Sequence, residues 1–485
     1  MKHSSSPLLT RLFFICSVVF ALVSCGGGSD DSGDTTNNSG SGSHTVSTSA
    51  TSGGSITPAN QTINHGATTT LGVIPDAGYH IASVTGCDGN LNGYTYTTDA
   101  IVSDCTVSAE FEPFFFTLAD QSLNDGMISI VTAADGSGDI YVGGTFATSN
   151  GTTSNRIIRF NVDGTLDSNF ETGSGFSSVV SSIVPAADGT GDFFVGGDFT
   201  SYNGTNSNRI IRLNSDGTVD SGFALGSGFD NFVTSIVQAS DGSGDIYVAG
   251  NFTRYNGIES NHIVRLNSDG TVDSSFAVGT GFDIIVLALA PASDNSGDIY
   301  VGGTFTSYNG TNSNRIIRLN SDGTVDNSFS VGTGFDASVL TIAPATDNTG
   351  DLYLGGTFTS YNGTNSHRII RLNSDGTPDT GFAVNSGFND LARSISSSAD
   401  GTGDIYVGGD FTRYQDTDSI RIVRLNSDGT VDPGFAVGTG FNGYVQTVTE
   451  ASDGSGNIYL GGLFTSYQNS PVTRIASLKP DGSIR

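Results

Sequence analysis

Residues 302–334 read GGTFTSYNGTNSNRIIRLNSDGTVDNSFSVGTG, and residues 294–301 before them read DNSGDIYV. Together they form one copy of a motif that occurs seven times at intervals of 53 residues, without insertion or deletion. A fixed period of this length predicts one supersecondary unit that is repeated along the chain. The aspartate of the GDIY motif marks each step, at Asp139, Asp192, Asp245, Asp298, Asp351 and Asp404, with Asn457 in the seventh copy.

Each copy contains four strand-like runs, which in the second copy are residues 179–185, 192–197, 209–213 and 218–223. Apolar β-formers fill these runs, Gly, Asn, Asp and Ser separate them, and no segment has a sustained helical period. Four short strands per unit are typical of propeller blades. We therefore predict an all-β protein in which residues 114–485 form a seven-bladed β-propeller of 53-residue repeats.

An open solenoid is the alternative to a ring, and the two ends of the repeat region argue against it. The last copy stops at residues 481–485, just where its fourth strand would begin. Residues 114–118, FFFTL, precede the first copy at the place where a fourth strand belongs. Pairing of the termini would close a ring and remove exposed sheet edges, whereas a solenoid needs polar caps.

The strings GDIYVGGxFTSYNG and NRIIRLNSDGTVDxxF are nearly intact in copies two to six. They resemble the repeats of the bacterial delta-sixty β-propeller family, and the resemblance covers about three quarters of the chain. It implies a surface or secreted protein and brings no established catalytic residue.

The N-terminus has the features of an export signal. Lys2 and Arg11 precede a short apolar run, residues 12–23, which is too short to span a bilayer comfortably. We therefore predict that residues 1–24 are a secretory signal peptide.

The run ends in Leu-Val-Ser-Cys, residues 22–25, which resembles the bacterial lipobox. The resemblance implies lipid attachment at Cys25 and anchoring in a membrane; the alternative is an ordinary signal with a chance cysteine. Gly26 follows instead of the aspartate associated with inner-membrane retention, which favours the outer membrane or cell surface. Residues 25–51 contain almost no large apolar side chain, so we expect a flexible tether.

Residues 52–113 have alternating runs separated by turn residues, which predicts a small β domain of four or five strands. The segments GSITP (54–58), PDAGY (75–79), VTGC (84–87) and DCTV (104–107) resemble the divergent internalin B-type repeat. That resemblance implies a stalk or spacer.

Cys87 and Cys105 form an even pair in an exported chain, which predicts a disulfide bond. The alternative, a two-cysteine metal site, lacks further cysteine or histidine at ligand spacing.

The first turns of the repeats, variants of Asp-Gly-Ser-Gly-Asp, should make one rim of the ring strongly acidic. Short Asp/Gly/Asn loops supply the oxygen ligands that Ca²⁺ selects, and they weakly resemble the calcium loops of FG-GAP propellers. The other reading is that they are simply good hairpin turns. The candidate calcium ligands are Asp135, Asp139, Asp188, Asp192, Asp241, Asp245, Asp294, Asp298, Asp347, Asp351, Asp400 and Asp404.

The arginines of the RIIR motif, such as Arg209 and Arg212, are expected on one side of their strand. They would pair with neighbouring aspartates or, alternatively, form an anion site at the axis. The opposite rim is nearly uncharged and carries aromatic and amide groups, a composition favoured at binding surfaces. Its candidate partner-binding residues are Tyr202, Tyr255, Tyr308 and Tyr361, with packing between blades as the alternative.

The formal charge of −29 opposes binding to phosphate backbones, so we do not expect a nucleic-acid partner. We predict a monomeric, lipid-anchored surface protein that binds a protein or glycan partner, with calcium as the one candidate cofactor. The alternatives are an enzyme, a hydrolase or lyase with its site in the propeller channel, and a passive surface scaffold.

Overall fold

The computed structural model describes residues 42–75, 79–113, 123–149, 151–383 and 385–485. These residues form strands, turns and loops, without a helix that has the length and apolar content of a membrane span. Cys25 and the signal and lipobox residues lie outside the described residues. The N-terminal domain contains β1 (Ser43–Ala50), β2 (Gly54–Thr57), β3 (Asn60–Asn64), β4 (Thr70–Pro75), β5 (Tyr79–Thr85), β6 (Asn90–Asn92), β7 (Thr95–Thr97) and β8 (Cys105–Pro113).

The N-terminal domain consists of two four-stranded sheets with one apolar core. The strand orders are β3-β1-β8-β5 and β2-β4-β7-β6. Val46, Val73 and Val107 are fully buried in the core, and Cys87 and Cys105 pack against it. The predicted disulfide is confirmed: Cys87 and Cys105 are bonded, with their Cα atoms 5.6 Å apart.

This domain is larger than the sequence predicted. The sequence predicts a tether over residues 25–51, but Ser43–Ala50 forms β1, which pairs antiparallel with β3 and parallel with β8. Val46 is the one buried residue of this strand, and its Ser and Thr neighbours are compatible with a half-exposed strand. The domain has eight strands, where four or five were expected. The remaining residues of the predicted tether, 26–41, lie outside the described part of the chain.

Each propeller blade is built on a three-stranded antiparallel sheet. The inner strands are Met127–Thr132, Val180–Pro185, Val233–Gln238, Val286–Pro291, Val339–Pro344, Ala392–Ser397 and Val445–Glu450. The second strands are Ile140–Gly144, Phe193–Gly197, Ile246–Gly250, Ile299–Gly303, Leu352–Gly356, Ile405–Gly409 and Ile458–Gly462. The third strands are Ile157–Phe160, Ile210–Leu213, Ile263–Leu266, Ile316–Leu319, Ile369–Leu372, Ile422–Leu425 and Ile475–Leu478.

A two-stranded hairpin connects the second and third strands of every blade, and we call the seven together the rim hairpins. Their strands are Thr148–Ser149 and Thr152–Thr153, Ser201–Tyr202 and Thr205–Asn206, Arg254–Tyr255 and Ile258–Glu259, Ser307–Tyr308 and Thr311–Asn312, Ser360–Tyr361 and Thr364–Asn365, Arg413–Tyr414 and Thr417–Asp418, and Ser466–Tyr467 and Ser470–Pro471.

The strand directions give the propeller two distinct faces. The inner strand ends at the Asp-rich first turn, so this turn and the third turn lie on one side, which we call the acidic face. The rim hairpins and the start of each inner strand lie on the other side, which we call the hairpin face. Neighbouring inner strands contact one another from blade to blade, and they therefore surround the axis.

The expected fourth strand is reduced to a single bridge in each blade, such as Leu213 with Val219 in the second. The main chain turns directly afterwards, because the Asp220 carboxylate accepts the N–H of Gly222 at 2.7 Å. The chain then crosses to the following blade, where Phe229 pairs with Tyr255. Each copy thus contributes its last residues to the outer edge of the next blade.

The ring closes between the seventh and first blades. Tyr459 and Ile475 belong to the same apolar cluster as Ile140 and Phe146. The sequence predicts that the last copy lacks its fourth strand, but Ile484 pairs with Leu478, so the last copy has its own fourth segment. Instead, Leu123 pairs with Ser149 as Phe176 pairs with Tyr202, so the segment before the first copy supplies the first blade's outer edge. Residues 114–118 lie outside the described residues.

Candidate functional site

In each of the first six blades, one arginine forms ion pairs with the aspartates of the acidic face. In the fifth blade, Arg371 donates to Asp347 at 2.5 Å and to Asp351 at 2.9 Å, and its Nε lies 3.3 Å from Asp379. Its guanidinium also lies over the Tyr353 ring, 5.2 Å from the centroid. We call each such group an arginine cluster, and its central residues are Arg159, Arg212, Arg265, Arg318, Arg371 and Arg424.

The arginine and the second aspartate of each cluster are largely withdrawn from solvent. The side chain of Arg371 is 6% exposed and that of Asp351 is 11% exposed. Burial raises the pKa of Asp347, but hydrogen bonds from Thr349 and Arg371 outweigh burial, and the pKa lies below its ordinary value. Burial lowers the pKa of Arg371, but Tyr353 and the aspartates outweigh it and raise that pKa. Both groups are therefore held in their charged forms.

The expectation of a calcium site on this face is wrong for the twelve aspartates proposed as ligands. In each of the six blades the two carboxylates accept hydrogen bonds from one guanidinium, whose positive charge stands where a cation would have to bind. Within the described residues, no group of three or more His, Cys, Asp or Glu side chains is arranged to hold a metal ion. The turns are thus held together by arginine.

The seventh blade has a rearranged version of this cluster. Asn457 stands in place of an aspartate, Ser477 in place of the arginine, and Arg485 in place of the third aspartate. Arg485 is buried, and its positive charge opposes the rise that burial causes in the pKa of Tyr459. One arginine therefore lies beside the tyrosine of the second strand here too, although it comes from a different position in the repeat.

The clusters connect to the following blade only at alternate boundaries. Arg159, Arg265 and Arg371 donate to the main-chain oxygen of a serine in the next blade, at 2.9, 3.4 and 3.1 Å. We call these boundaries, between blades one and two, three and four, and five and six, closed. Arg212, Arg318 and Arg424 make no such bond to a described residue, and we call the boundaries after them open.

The tyrosines expected to bind a partner on the hairpin face are buried. Tyr202, Tyr255, Tyr308 and Tyr361 are each 0% exposed. Their hydroxyls donate to the carbonyls of Gly217, Gly270, Gly323 and Gly376 at 2.7 to 2.8 Å. Burial raises the pKa of each of these hydroxyls, that of Tyr308 to about 12. The partner-binding role is therefore wrong for these residues, and packing between blades is their role.

The two arginines of the RIIR motif point to opposite faces. Arg209 lies before its strand and donates to the carbonyl of Phe229 at 3.1 Å, on the hairpin face. Arg212 belongs to an arginine cluster on the acidic face. The two residues lie at opposite ends of the strand Ile210–Leu213, since Arg209 precedes it and Arg212 is near its end. The expectation that they share one environment was therefore wrong. Arg212 pairs with aspartates as expected, and these protein carboxylates take the place that a bound anion would need.

The inner strands differ from blade to blade, although the rest of each copy is nearly constant. We call the entrance to the axis on the hairpin face the axial mouth, and two sets of positions show its variation. The second residues of the inner strands are Ile128, Ser181, Thr234, Leu287, Leu340, Arg393 and Gln446. The residues after the second strands are Thr145, Asp198, Asn251, Thr304, Thr357, Asp410 and Leu463.

Blade six places an ion pair in the axial mouth. Arg393 donates to both carboxylate oxygens of Asp410, at 2.7 and 2.8 Å. It also donates to the amide oxygen of Gln446 in the seventh blade at 3.2 Å, and it lies over the Tyr444 ring at 4.6 Å. Both charged side chains are partly exposed, at 24% and 22%. A bidentate, partly buried ion pair of this kind has a fixed geometry, and a binding partner can recognise it.

Exposed apolar side chains lie on the hairpin face in blades seven and four. Leu463 is 37% exposed, and Ile284, next to the fourth inner strand, is 46% exposed. A cavity of about 330 Å³ between the seventh and first blades is lined by Tyr444, Leu463 and Ile128, together with Thr145 and Asp125. The axial mouth therefore combines exposed apolar surface with a few fixed polar groups, as binding sites commonly do.

Sequence reasoning missed the axial mouth, although the signal was present. A position-by-position comparison of the seven copies would have found Arg393 in an inner strand, and Asp410 and Leu463 directly after second strands. Constant positions in a repeat serve packing that every blade shares, whereas positions that differ are free to serve a site on one side of the ring.

Two family models match the chain. Residues 44–114 match the divergent InlB B-repeat domain. Residues 136–170, 193–223, 242–276, 295–329, 348–382, 401–435 and 454–484 match the family described as domain of unknown function (DUF5122) beta-propeller. No curated protein matches the chain.

Solved structures with a similar fold include the β-propeller domain of Cps50 (Swd1) from Myceliophteria thermophila, at 8% identity and a TM-score of 0.47, covering 71% of this chain and 96% of that one. The GH74 enzyme of Niastella koreensis has 14% identity and a TM-score of 0.47, covering 75% and 53%. A chain of the Mitotic Checkpoint Complex has 14% identity and a TM-score of 0.45, covering 72% and 94%. Overlaps of this size carry no argument about activity. The chain is a divergent InlB B-repeat domain followed by a DUF5122 β-propeller repeat region.

Proposed function

We propose that this chain is an exported, lipid-anchored surface protein whose propeller binds a partner at the axial mouth. The observation that carries the proposal is the divergence of the inner strands within otherwise constant repeats. A passive scaffold needs no such divergence, because seven equal blades would form the same ring. The proposal replaces the tyrosine-lined rim with the axial mouth as the binding surface.

A segment of a surface protein fits the axial mouth better than a glycan does. Leu463 and Ile284 offer exposed aliphatic surface, and the half-buried Tyr444 ring adds aromatic surface. Arg393 and Asp410 offer one charge of each sign at a fixed distance. Apolar anchors around a directional ion pair are typical of protein interfaces, where aromatic residues and arginine carry much of the binding energy.

The binding test uses residues that other blades already contain. Leu463→Thr combined with Tyr444→Ser gives blade seven the residues that blade five has at Thr357 and Ser338, so the fold should tolerate both changes. Binding of the purified full chain to intact producing cells and to an immobilised glycan panel is measured. We expect the double variant to lose cell binding by about tenfold or more, because the apolar anchors are gone.

The matched control changes the exposed rim hairpin of blade four, with Thr311→Ala and Asn312→Ala, and should leave cell binding unchanged. Equal binding by the wild type and the axial variant would refute a role for the axial mouth. Loss in the rim variant alone would place the site on the rim hairpins.

Anchoring is tested separately at Cys25. The Cys25→Ser variant should lack the lipid mass and appear in the soluble fraction, while the wild type remains with membranes. A variant that stays with membranes after unchanged processing would contradict lipid attachment.

A further inference from the structure

A cleft of about 830 Å³ opens on the acidic face at the open boundary between blades four and five. Blade four contributes Asp294, Tyr300, Arg318 and Ser328, and blade five contributes a wall that includes Ser374. Its volume lies in the range of small-ligand sites. It is on the opposite face from the axial mouth, so a site here is additional to the proposed function.

The cleft exposes a hydroxyl and a carbonyl whose counterparts at closed boundaries are hydrogen-bonded to each other. The Tyr247 hydroxyl donates to the carbonyl of Gly297 at 2.7 Å, and Tyr353 donates to that of Gly403 at 2.7 Å. The corresponding groups in the cleft are the Tyr300 hydroxyl and the carbonyl of Gly350, and they are not bonded to each other.

Tyr300 accepts a hydrogen bond from Arg318 at 3.3 Å but donates to no described residue. The carbonyls of Gly350 and Ser374 likewise accept no hydrogen bond from the described part of the chain. The cleft therefore has an unused donor, the Tyr300 hydroxyl, on one wall and two unused acceptors, the carbonyls of Gly350 and Ser374, on the other. A group that can both donate and accept would bridge the two walls, and a hydroxyl does both.

The charges of the cleft exclude anions. Arg318 is already paired with Asp294 and Asp298, and its Nε lies 3.2 Å from Asp326. Asp375 adds a further carboxylate to the lining. The floor is apolar, with Ala292, Pro344 and Ala345. Hydroxyls on the rim of an apolar body, without negative charge, would match this surface.

We propose that the cleft between blades four and five binds a neutral sugar unit of a glycan. The sugar's hydroxyls accept from Tyr300 and donate to the carbonyls of Gly350 and Ser374, and its C–H face packs on the apolar floor. The equivalent cleft between blades six and seven has a smaller volume, about 280 Å³, and has Pro480 in place of Ser374. We therefore assign the sugar site to the cleft between blades four and five.

Binding is measured by saturation-transfer difference NMR and calorimetry on the full chain. The probes are cellotriose, xylotriose, maltotriose and chitotriose, with trigalacturonate as an anionic comparison. At least one neutral trisaccharide should bind at millimolar concentration or below, and trigalacturonate should not. Absence of binding by all four neutral probes, or binding of trigalacturonate alone, would overturn the proposal.

Ser328→Trp places a large side chain in the cleft from an exposed position, and should weaken binding by roughly tenfold or more. Ser275→Trp is the matched control, because Ser275 has the same place in blade three, beside a closed boundary. An equal loss in both variants would overturn the assignment.

Tyr300→Phe removes the donor hydroxyl alone. The second blade has Phe194 at this position, so the fold accepts the change. Binding should weaken by roughly three- to tenfold, as expected for one lost hydrogen bond. Unchanged binding by a folded Tyr300→Phe variant would contradict the bridging role of this hydroxyl.

Discussion

Arg393 and Asp410 form a bidentate ion pair, with hydrogen bonds of 2.7 and 2.8 Å, at the axial mouth. No other blade has this pair, since the fifth has Leu340 and Thr357 at the same positions. Two side chains joined by a pair of charged hydrogen bonds are energetically coupled, and their coupling can be measured.

Arg393→Leu should destabilise the chain by about 1–3 kcal/mol, because it leaves the Asp410 carboxylate partly buried without its partner. The double variant Arg393→Leu/Asp410→Thr restores the combination of blade five and should recover most of that loss. Chemical unfolding of the single and double variants measures the coupling. A double variant that is less stable than either single variant would contradict it.

Arg371→Ala should cost about 3–5 kcal/mol in the free energy of unfolding, because three carboxylates lose their buried counter-charge. The control is Arg254→Ala on the surface, where the pair with Glu259 is exposed at 56% and 78% and should contribute less than about 1 kcal/mol. Thermal and urea unfolding distinguish the two variants. Similar small losses in both would show that the arginine clusters do not hold the turns.

Acid should destabilise the propeller through its hydrogen-bonded aspartates. Burial raises the pKa of Asp336, but bonds from Thr359 and Ser360 outweigh it and lower the pKa from 3.8 to about 2. Because the folded-state pKa is below the unfolded one, the ionised group stabilises the fold above about pH 4. That stabilisation is lost as the pH falls towards 2.

Asp336→Asn should therefore lower the melting temperature at neutral pH, where the ionised carboxylate contributes, and flatten its further fall between about pH 4 and pH 2. Asn389 shows that asparagine fits this position, since it accepts the N–H groups of Thr412 and Arg413 at 3.0 Å each. Asp416→Asn, at an exposed hairpin position, is the control for net charge. An identical acid profile in the wild type and Asp336→Asn would refute this assignment.

Calcium should stabilise the chain no more than sodium chloride of equal ionic strength, because guanidinium groups already occupy the carboxylates of the acidic face. Scanning calorimetry in the two salts checks this. A clearly larger rise in melting temperature with calcium would show that a cation competes with the arginines, and Asp347→Asn would then identify the blade.

The 53-residue repeat allowed the fold to be predicted from the sequence. A constant period aligned seven copies, so the strand assignments for one copy served for all, and three of the four predicted runs agree with the observed strands to within one residue. The fourth failed because Asp220 serves a turn and an arginine cluster rather than a strand. Local alternation cannot show that a carboxylate is needed elsewhere.

The site was less readable, for two physical reasons. A two-residue strand such as Ser201–Tyr202 has no periodicity, so nothing local distinguishes a buried tyrosine from an exposed one. The arginine that meets Asp135 and Asp139 lies 20 or more residues away along the chain. The joint exchange at Asn457, Ser477 and Arg485 was the available clue, because charges that change together usually touch.

The alternation of closed and open boundaries has a consequence of parity. A ring with an even number of blades can alternate throughout, but seven boundaries cannot, and one place must break the order. That place is between the seventh and first blades, where the rearranged arginine also lies. Three boundaries, those after Arg212, Arg318 and Arg424, lack a bond from the arginine cluster to a described residue of the next blade. Slow opening of the ring should follow these three open boundaries, and amide exchange would detect them as three lines of early deuterium uptake.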